Sequence, residues 1–186
     1  RFRPHKTLLE HTAKAIRNEP AWELLDEQRV AVNAVLTKIR KSREGGGKTI
    51  FLIRGGPGTG KSVVAINLVA ALSELGLATL HTTGSRAFTE NLKRAVGSRA
   101  SAQFKYFNSL AKAAEDELDV VVSDEAHRLR EYSWNWRTPK KFRTDTPQIE
   151  ELVRAARTSV FLIDDMQVVR PAEVGSSELI RGTGDA

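Results

Sequence analysis

Eight residues, Gly55-Gly56-Pro57-Gly58-Thr59-Gly60-Lys61-Ser62, stand between an apolar run, Thr49–Arg54, and a stretch over 62–75 whose apolar residues recur at helical spacing. Glycines at these places let the backbone curl until successive N–H groups converge on one point, where the dipole of a following helix adds positive charge. That convergence suits phosphate oxygens. Lys61 is then placed to reach β- and γ-phosphates, and the Ser62 hydroxyl to meet Mg²⁺. Strand, loop and helix in this order predict an α/β fold with a parallel sheet.

The rest of the chain alternates in the same way. Strands are expected over 78–82, 119–123 and 159–163, and helices over 7–40, 88–96, 104–117 and 149–157. A polar, glycine-rich link over 43–48 follows the first helix. The pattern predicts helices on both faces of the sheet. It divides the chain into an N-terminal helical segment, 1–48, and a nucleotide-binding domain, 49–186.

At 186 residues the chain has room for one domain with a sizeable core. It has no cysteine, which excludes disulfides and thiolate zinc sites. No stretch is long and apolar enough to cross a membrane, and no signal-peptide pattern opens the chain, so a soluble, cytoplasmic protein without a membrane partner is expected. The sequence starts at Arg1 and stops in Gly182-Thr183-Gly184-Asp185-Ala186, which reads as part of a longer protein.

A second chemical element is Asp119-Val120-Val121-Val122-Ser123-Asp124-Glu125-Ala126-His127. An apolar strand that delivers two acids at its C-terminal end suits a nucleotide hydrolase, because ligands of open α/β sheets bind beyond the carboxyl ends of the strands. Asp124 is expected to hold magnesium and Glu125 to orient and polarise the attacking water as catalytic base. His127 either couples the nucleotide to a second site or is hydrogen-bonded in its loop. In a third element, Phe161-Leu162-Ile163-Asp164-Asp165-Met166-Gln167-Val168-Val169-Arg170-Pro171, Gln167 is the candidate γ-phosphate sensor, with a plain strand exit capped by Asp164 as the alternative. A metal-dependent nuclease built on Asp124, Glu125, Asp164 and Asp165 lacks the further ligands of a two-metal site.

The net charge of +6 favours a polyanionic partner only where it clusters. It clusters over 128–143, where basic residues interleave with Tyr132, Trp134 and Trp136. Trp134 and Trp136 could stack on bases while Lys140 and Lys141 neutralise phosphates. The competing reading is a loop whose tryptophans pack beneath it.

Gln28, the loop ending in Lys61-Ser62, Thr82-Thr83-Gly84-Ser85-Arg86, Asp124-Glu125-Ala126-His127 and the segment 164–167 together resemble the first RecA-like domain of superfamily-one helicases. The stretches 83–92, 104–108 and 163–171 resemble more narrowly the Schlafen-like branch of helicase-type ATPases. The resemblance implies a RecA-like P-loop fold, ATP and Mg²⁺ as cofactors, Gln28 as the residue that reads adenine, and Thr82, Thr83, Ser85 and Arg86 against the backbone of a single strand, DNA in preference to RNA. Ser85 and its neighbours could instead cap the next helix. Ile163 departs from the glycine that many members carry before the aspartate. A second RecA-like domain, expected elsewhere in the parent chain, supplies an arginine in such enzymes, so this domain alone should turn ATP over slowly. The expected function is ATP hydrolysis coupled to nucleic acid in a helicase or translocase motor. The alternative is a P-loop ATPase that switches protein assembly or defence signalling without unwinding.

Overall fold

Parallel strands covered on both faces tend to read as near-continuous apolar runs, and 50–53, 120–122 and 160–163 carry such runs, whereas 79–83, Thr-Leu-His-Thr-Thr, is buried despite its polar side chains. A computed structural model describes Lys14, Ile16, Asn18 and residues 23–45, 47–167 and 170–184. In chain order the elements are α1 Asp26–Gly45, β1 Thr49–Arg54, α2 Lys61–Glu74, β2 Thr79–Thr83, α3 Arg86–Ala100, β3 Phe104–Tyr106, β4 Leu118–Asp124, α4 Gln148–Ala155, β5 Ala156–Ile163 and α5 Ser177–Gly184. All five strands are parallel, in the order β1-β5-β4-β2-β3. The fold is therefore α/β, with a parallel sheet flanked by helices on both faces, as a RecA-like helicase domain requires.

Two apolar cores form against the sheet. One holds Val32, Val35 and Ile39 of α1, the buried face of α2, and Leu92 and Val96 of α3, packed on Val120, Val122, Val160 and Leu162. The other packs Ile149 and Leu152 of α4 and Ile180 of α5 on Val121, Phe161 and Ile163. Alternate residues of β4 and β5 thus serve opposite faces. Helix α1 shares the first core through Val32, Val35 and Ile39. Among the described residues, no helix is long and apolar enough to cross a membrane.

Several expectations need correction. The predicted helix over 104–117 is absent: Phe104–Tyr106 pairs with His81, Thr82 and Thr83 as an edge strand, and a 3-10 turn, Phe107–Leu110, follows. Phe104, Phe107 and Leu110 are buried three residues apart, which imitates a helical stripe, yet burial against β2 outweighs the propensity of the alanines behind them. The chain leaves this segment through Asp116 at φ 50°. Helix α1 runs past Arg40 to Gly45, into the predicted link. Helix α5 was not expected. In α3 the regular turns break at Gly97, whose φ of 80° no helix accommodates. Most of 7–22, the first part of the helix expected over 7–40, and Val168 and Val169 of the third element lie outside the described residues.

Candidate functional site

Parallel register brings three strand ends to one edge of the sheet. Arg54 lies opposite Ile163 and Asp124 opposite Thr83, so the phosphate loop, Asp164 and the Asp124-Glu125 pair leave the sheet side by side. The Gly55 N–H continues the ladder to the Ile163 carbonyl at 3.2 Å. Ligands of open α/β sheets bind beyond this edge.

The loop turns through Gly58 at φ 73° and Gly60 at φ 76°, which residues with a Cβ rarely adopt. Gly60 ends the loop as the N-cap of α2, where among the described residues no side chain caps the helix and no acid occupies its first turn. The helix dipole is left to an outside anion. Thr59 Oγ1 donates to the Gly56 carbonyl at 2.9 Å. Lys61 folds back, donating to the Gly55 and Gly56 carbonyls at 2.8 and 2.6 Å and meeting Asp164 Oδ2 at 3.3 Å. Burial pushes the Asp164 carboxyl up, but the Met166 N–H and the Lys61 ammonium outweigh it and hold the group below the usual carboxylate range.

Gln28 reaches the same loop from α1. Its amide nitrogen donates to the Thr59 carbonyl at 3.1 Å, and its oxygen accepts the Leu25 N–H at 3.0 Å. A Cβ on Gly60 would stand 2.2 Å from that amide nitrogen, so the glycine is needed for the approach as well as the turn.

Asp124 is buried at the end of β4. Its Oδ1 accepts the Glu125 N–H at 2.9 Å, while Oδ2 is buried without a hydrogen bond of ordinary geometry among the described residues. Burial raises its pKa, opposed first by the neighbouring Ser62 hydroxyl and then by the Glu125 N–H and Lys61. An orphaned carboxylate oxygen beside a serine hydroxyl fits a magnesium ion, which takes one or two protein ligands and fills its shell with water and phosphate oxygens. The described residues contain no group of three or more candidate ligands, as that mode of binding needs none.

Glu125 has φ 53° and ψ 45°, a strained left-handed backbone for a side chain of this kind. Its Oε2 faces Arg128 Nε at 3.3 Å as an ion pair without hydrogen-bond geometry. Burial raises the Glu125 pKa, and Arg128 is the main opposing influence. His127 is buried with neither ring nitrogen bonded among the described residues, and burial lowers its pKa. Gly175 lies so close that a Cβ there would fall 1.9 Å from the Ala126 carbonyl oxygen.

Other expected residues are placed less directly. Gln167 is exposed at the edge, where its backbone N–H donates to the Asp164 carbonyl at 3.3 Å. Thr82 and Thr83 are fully buried; Thr82 Oγ1 shares a hydrogen bond with Ser123 Oγ at 2.9 Å, and Thr83 Oγ1 accepts the Ser85 N–H at 3.2 Å. Their hydroxyls are therefore spent within the fold rather than presented to a strand. Ser85 caps α3 through the Phe88 N–H, leaving Arg86 exposed behind it. Trp134 stacks on Tyr132, carries Arg143 over its ring at 4.7 Å and donates to the Thr144 carbonyl at 2.7 Å, so it packs the loop. Trp136 is 78 % exposed under Arg137. Lys140 and Lys141 lie exposed on a 3-10 turn. Buried Glu151 of α4 accepts the Ser133 and Thr144 hydroxyls and pins this loop down.

Sequence reasoning missed Arg128, whose partner is three residues away, and gave Asp165 no distinct part. Asp165 accepts the Ser177 N–H and hydroxyl at the start of α5 and pairs with Arg54 at 2.8 Å, contacts that hold its pKa down. The spacing of Glu125 and Arg128 was the available signal for the first.

Residues 48–184 match a family described as Schlafen group 3, DNA/RNA helicase domain. Among solved structures, the fold is similar to the C-terminal domain of a possible DNA helicase from Lactobacillus plantarum WCFS1, at 14 % identity and a TM-score of 0.41, over 72 % of this chain and 84 % of that one. That likeness is too distant to bear on function. No curated protein matches the chain.

Proposed function

Because the chain belongs to the Schlafen group 3 DNA/RNA helicase domain family, we propose that it is the ATP-binding, first RecA-like domain of a nucleic-acid-dependent ATPase. The observation that carries this reading is the meeting of an uncapped helix N-terminus, Lys61, Asp164, buried Asp124 and half-buried Glu125 at one sheet edge.

Lys61 would exchange the Gly55 and Gly56 carbonyls for β- and γ-phosphate oxygens, gaining charge-assisted contacts. The backbone of 55–62 would surround the phosphates. Ser62 and Asp124 would hold Mg²⁺, which when bound neutralises charge on the β- and γ-phosphates. Glu125 would accept a proton from the attacking water at its carboxylate. Gln167 would report the γ-phosphate, and Gln28 would read the base.

Calorimetry with MgATP and hydrolysis assays of the intact protein, with and without a single-stranded oligonucleotide, test the reading. Lys61→Ala should abolish tight MgATP binding, with thermal melting as the control for folding. Glu125→Gln should retain binding and lose hydrolysis by a factor on the order of 10² or more. Wild-type protein that fails to bind MgATP overturns the assignment. Hydrolysis indifferent to every oligonucleotide would instead make the chain a nucleotide switch.

A further inference from the structure

Beside the nucleotide edge lies a cleft of about 190 Å³ at the ends of β2 and β3. Thr83, Gly84, Tyr106, Asn108, Arg128 and Arg130 line it. Two guanidinium groups, an amide and a glycine backbone make a surface of the composition that grips phosphodiester oxygens. Glu173 is the one acid on its wall, and its Oε2 is occupied by the Arg170 N–H at 3.0 Å.

Arg128 belongs to both places at once. Its aliphatic stem lies against Gly84, where an added Cβ would stand 2.7 Å from Arg128 Cβ and 3.3 Å from Cδ. Its Nε meets Glu125 Oε2 at 3.3 Å. Glycine at position 84 thus lets the arginine bridge from the cleft wall to the acid that ends β4. The pair is loose, partly exposed on both sides at 30 % and 28 %, and makes no aligned hydrogen bond, so little holds the guanidinium to its present partner.

We propose that this cleft takes a phosphodiester of a single nucleic-acid strand and that Arg128 couples it to the nucleotide site, leaving Glu125 for the phosphate when the strand binds. Without a strand, Glu125 Oε2 is engaged by Arg128. With a strand, a planar guanidinium finds two phosphate oxygens in place of one carboxylate oxygen, and Glu125 becomes available to water. Arg128 is a positioning residue in this scheme, and the coupling rests on Glu125 acting as proposed above.

Competition for one guanidinium has a signature that needs no nucleotide. Fluorescein-labelled oligothymidylate, and oligouridylate in parallel, are titrated into the intact, nucleotide-free protein and read by anisotropy at several salt concentrations. Arg128→Ala should weaken binding by about tenfold and lower the salt slope by about one. Glu125→Gln should tighten binding by roughly threefold or more, because the guanidinium is no longer shared. That tightening should vanish in the Arg128→Ala background. A tightening that survives there is a general field effect and overturns the coupling, as does unchanged affinity in Glu125→Gln; unchanged affinity in Arg128→Ala overturns the strand site. If Arg128→Ala melts early, Arg128→Lys carries the test, with effects of the same sign and smaller size. In hydrolysis, Arg128→Ala should raise the strand-free rate and remove stimulation by the strand; a preserved stimulation ratio counts against the coupling. Wild-type protein that binds no MgATP would remove the coupling together with the ATPase reading, while the anisotropy results would still judge the strand site. The two oligonucleotides show whether DNA or RNA is the better source of the phosphodiester.

Discussion

His81 sits in the middle of β2, fully buried, with Phe88 and Phe104 rings at 6.0 and 5.5 Å and neither nitrogen bonded among the described residues. Burial pushes its pKa from 6.5 down to about 3, so the ring stays neutral in the fold. In the unfolded chain it takes a proton below about pH 6.5, and in the folded chain only below about 3. The unfolded state therefore binds more protons through that window, and stability falls as the pH drops, by up to about 1.4 kcal/mol per pH unit. His81→Leu, of similar volume, should lose this part of the acid sensitivity. Urea midpoints across the window measure it, and equal slopes for the two proteins would show that His81 does not titrate as its burial demands. The same scale explains why the hydroxyls of Thr82 and Thr83 are turned into the fold. In a central parallel strand both faces are covered, so polar side chains need not mark a surface.

At the scale of elements, one lysine joins three of them. Lys48, just ahead of β1, donates to Asp116 Oδ1 at 2.6 Å, to the Val153 and Arg154 carbonyls at 3.2 Å and to the Ala156 carbonyl at 3.4 Å. Carbonyls at the end of α4 lack partners within the helix, and a cation there also meets the negative end of its dipole. Lys48→Met should lower stability by about 1–2 kcal/mol, while MgATP affinity is unchanged because the contact lies at the opposite edge of the sheet from the phosphate loop. Urea denaturation and calorimetry on the same variant separate the two, and a parallel loss of affinity would count against this reading. Elements with long apolar runs, β1, β4, β5 and the buried α2, were legible in the sequence because their burial is written in their composition. Edge strand β3 has only three residues, too few to display a period. The cradle of the candidate site was equally legible, since its chemistry is contiguous. The Lys61-Asp164 pair spans 103 positions, and only the sheet order brings it together.

The whole molecule gives the proposed ligand a mechanical consequence. The phosphate loop touches α1 through Gln28, opens α2, and faces β4 and β5 through Asp124 and Asp164, so a nucleotide held there would tie both sides of the domain to the sheet. A ligand that binds only the folded state stabilises it by about 2.7 kcal/mol at a hundredfold excess over Kd. For a chain of this length each kcal/mol raises Tm by roughly 2–4 °C, so saturating MgATP should raise it by about 5–10 °C. Lys61→Ala should cancel the shift. The comparison with MgGTP then decides what Gln28 is for. Its amide at present braces the Thr59 carbonyl and the Leu25 N–H, contacts that need no base. If Gln28 turns to an adenine edge when the site fills, MgGTP should give a clearly smaller shift, and Gln28→Ala should make the two nucleotides equal by reducing the ATP shift. Equal shifts in the wild-type protein would leave Gln28 as a brace for the loop and remove the sequence-based reason for preferring ATP.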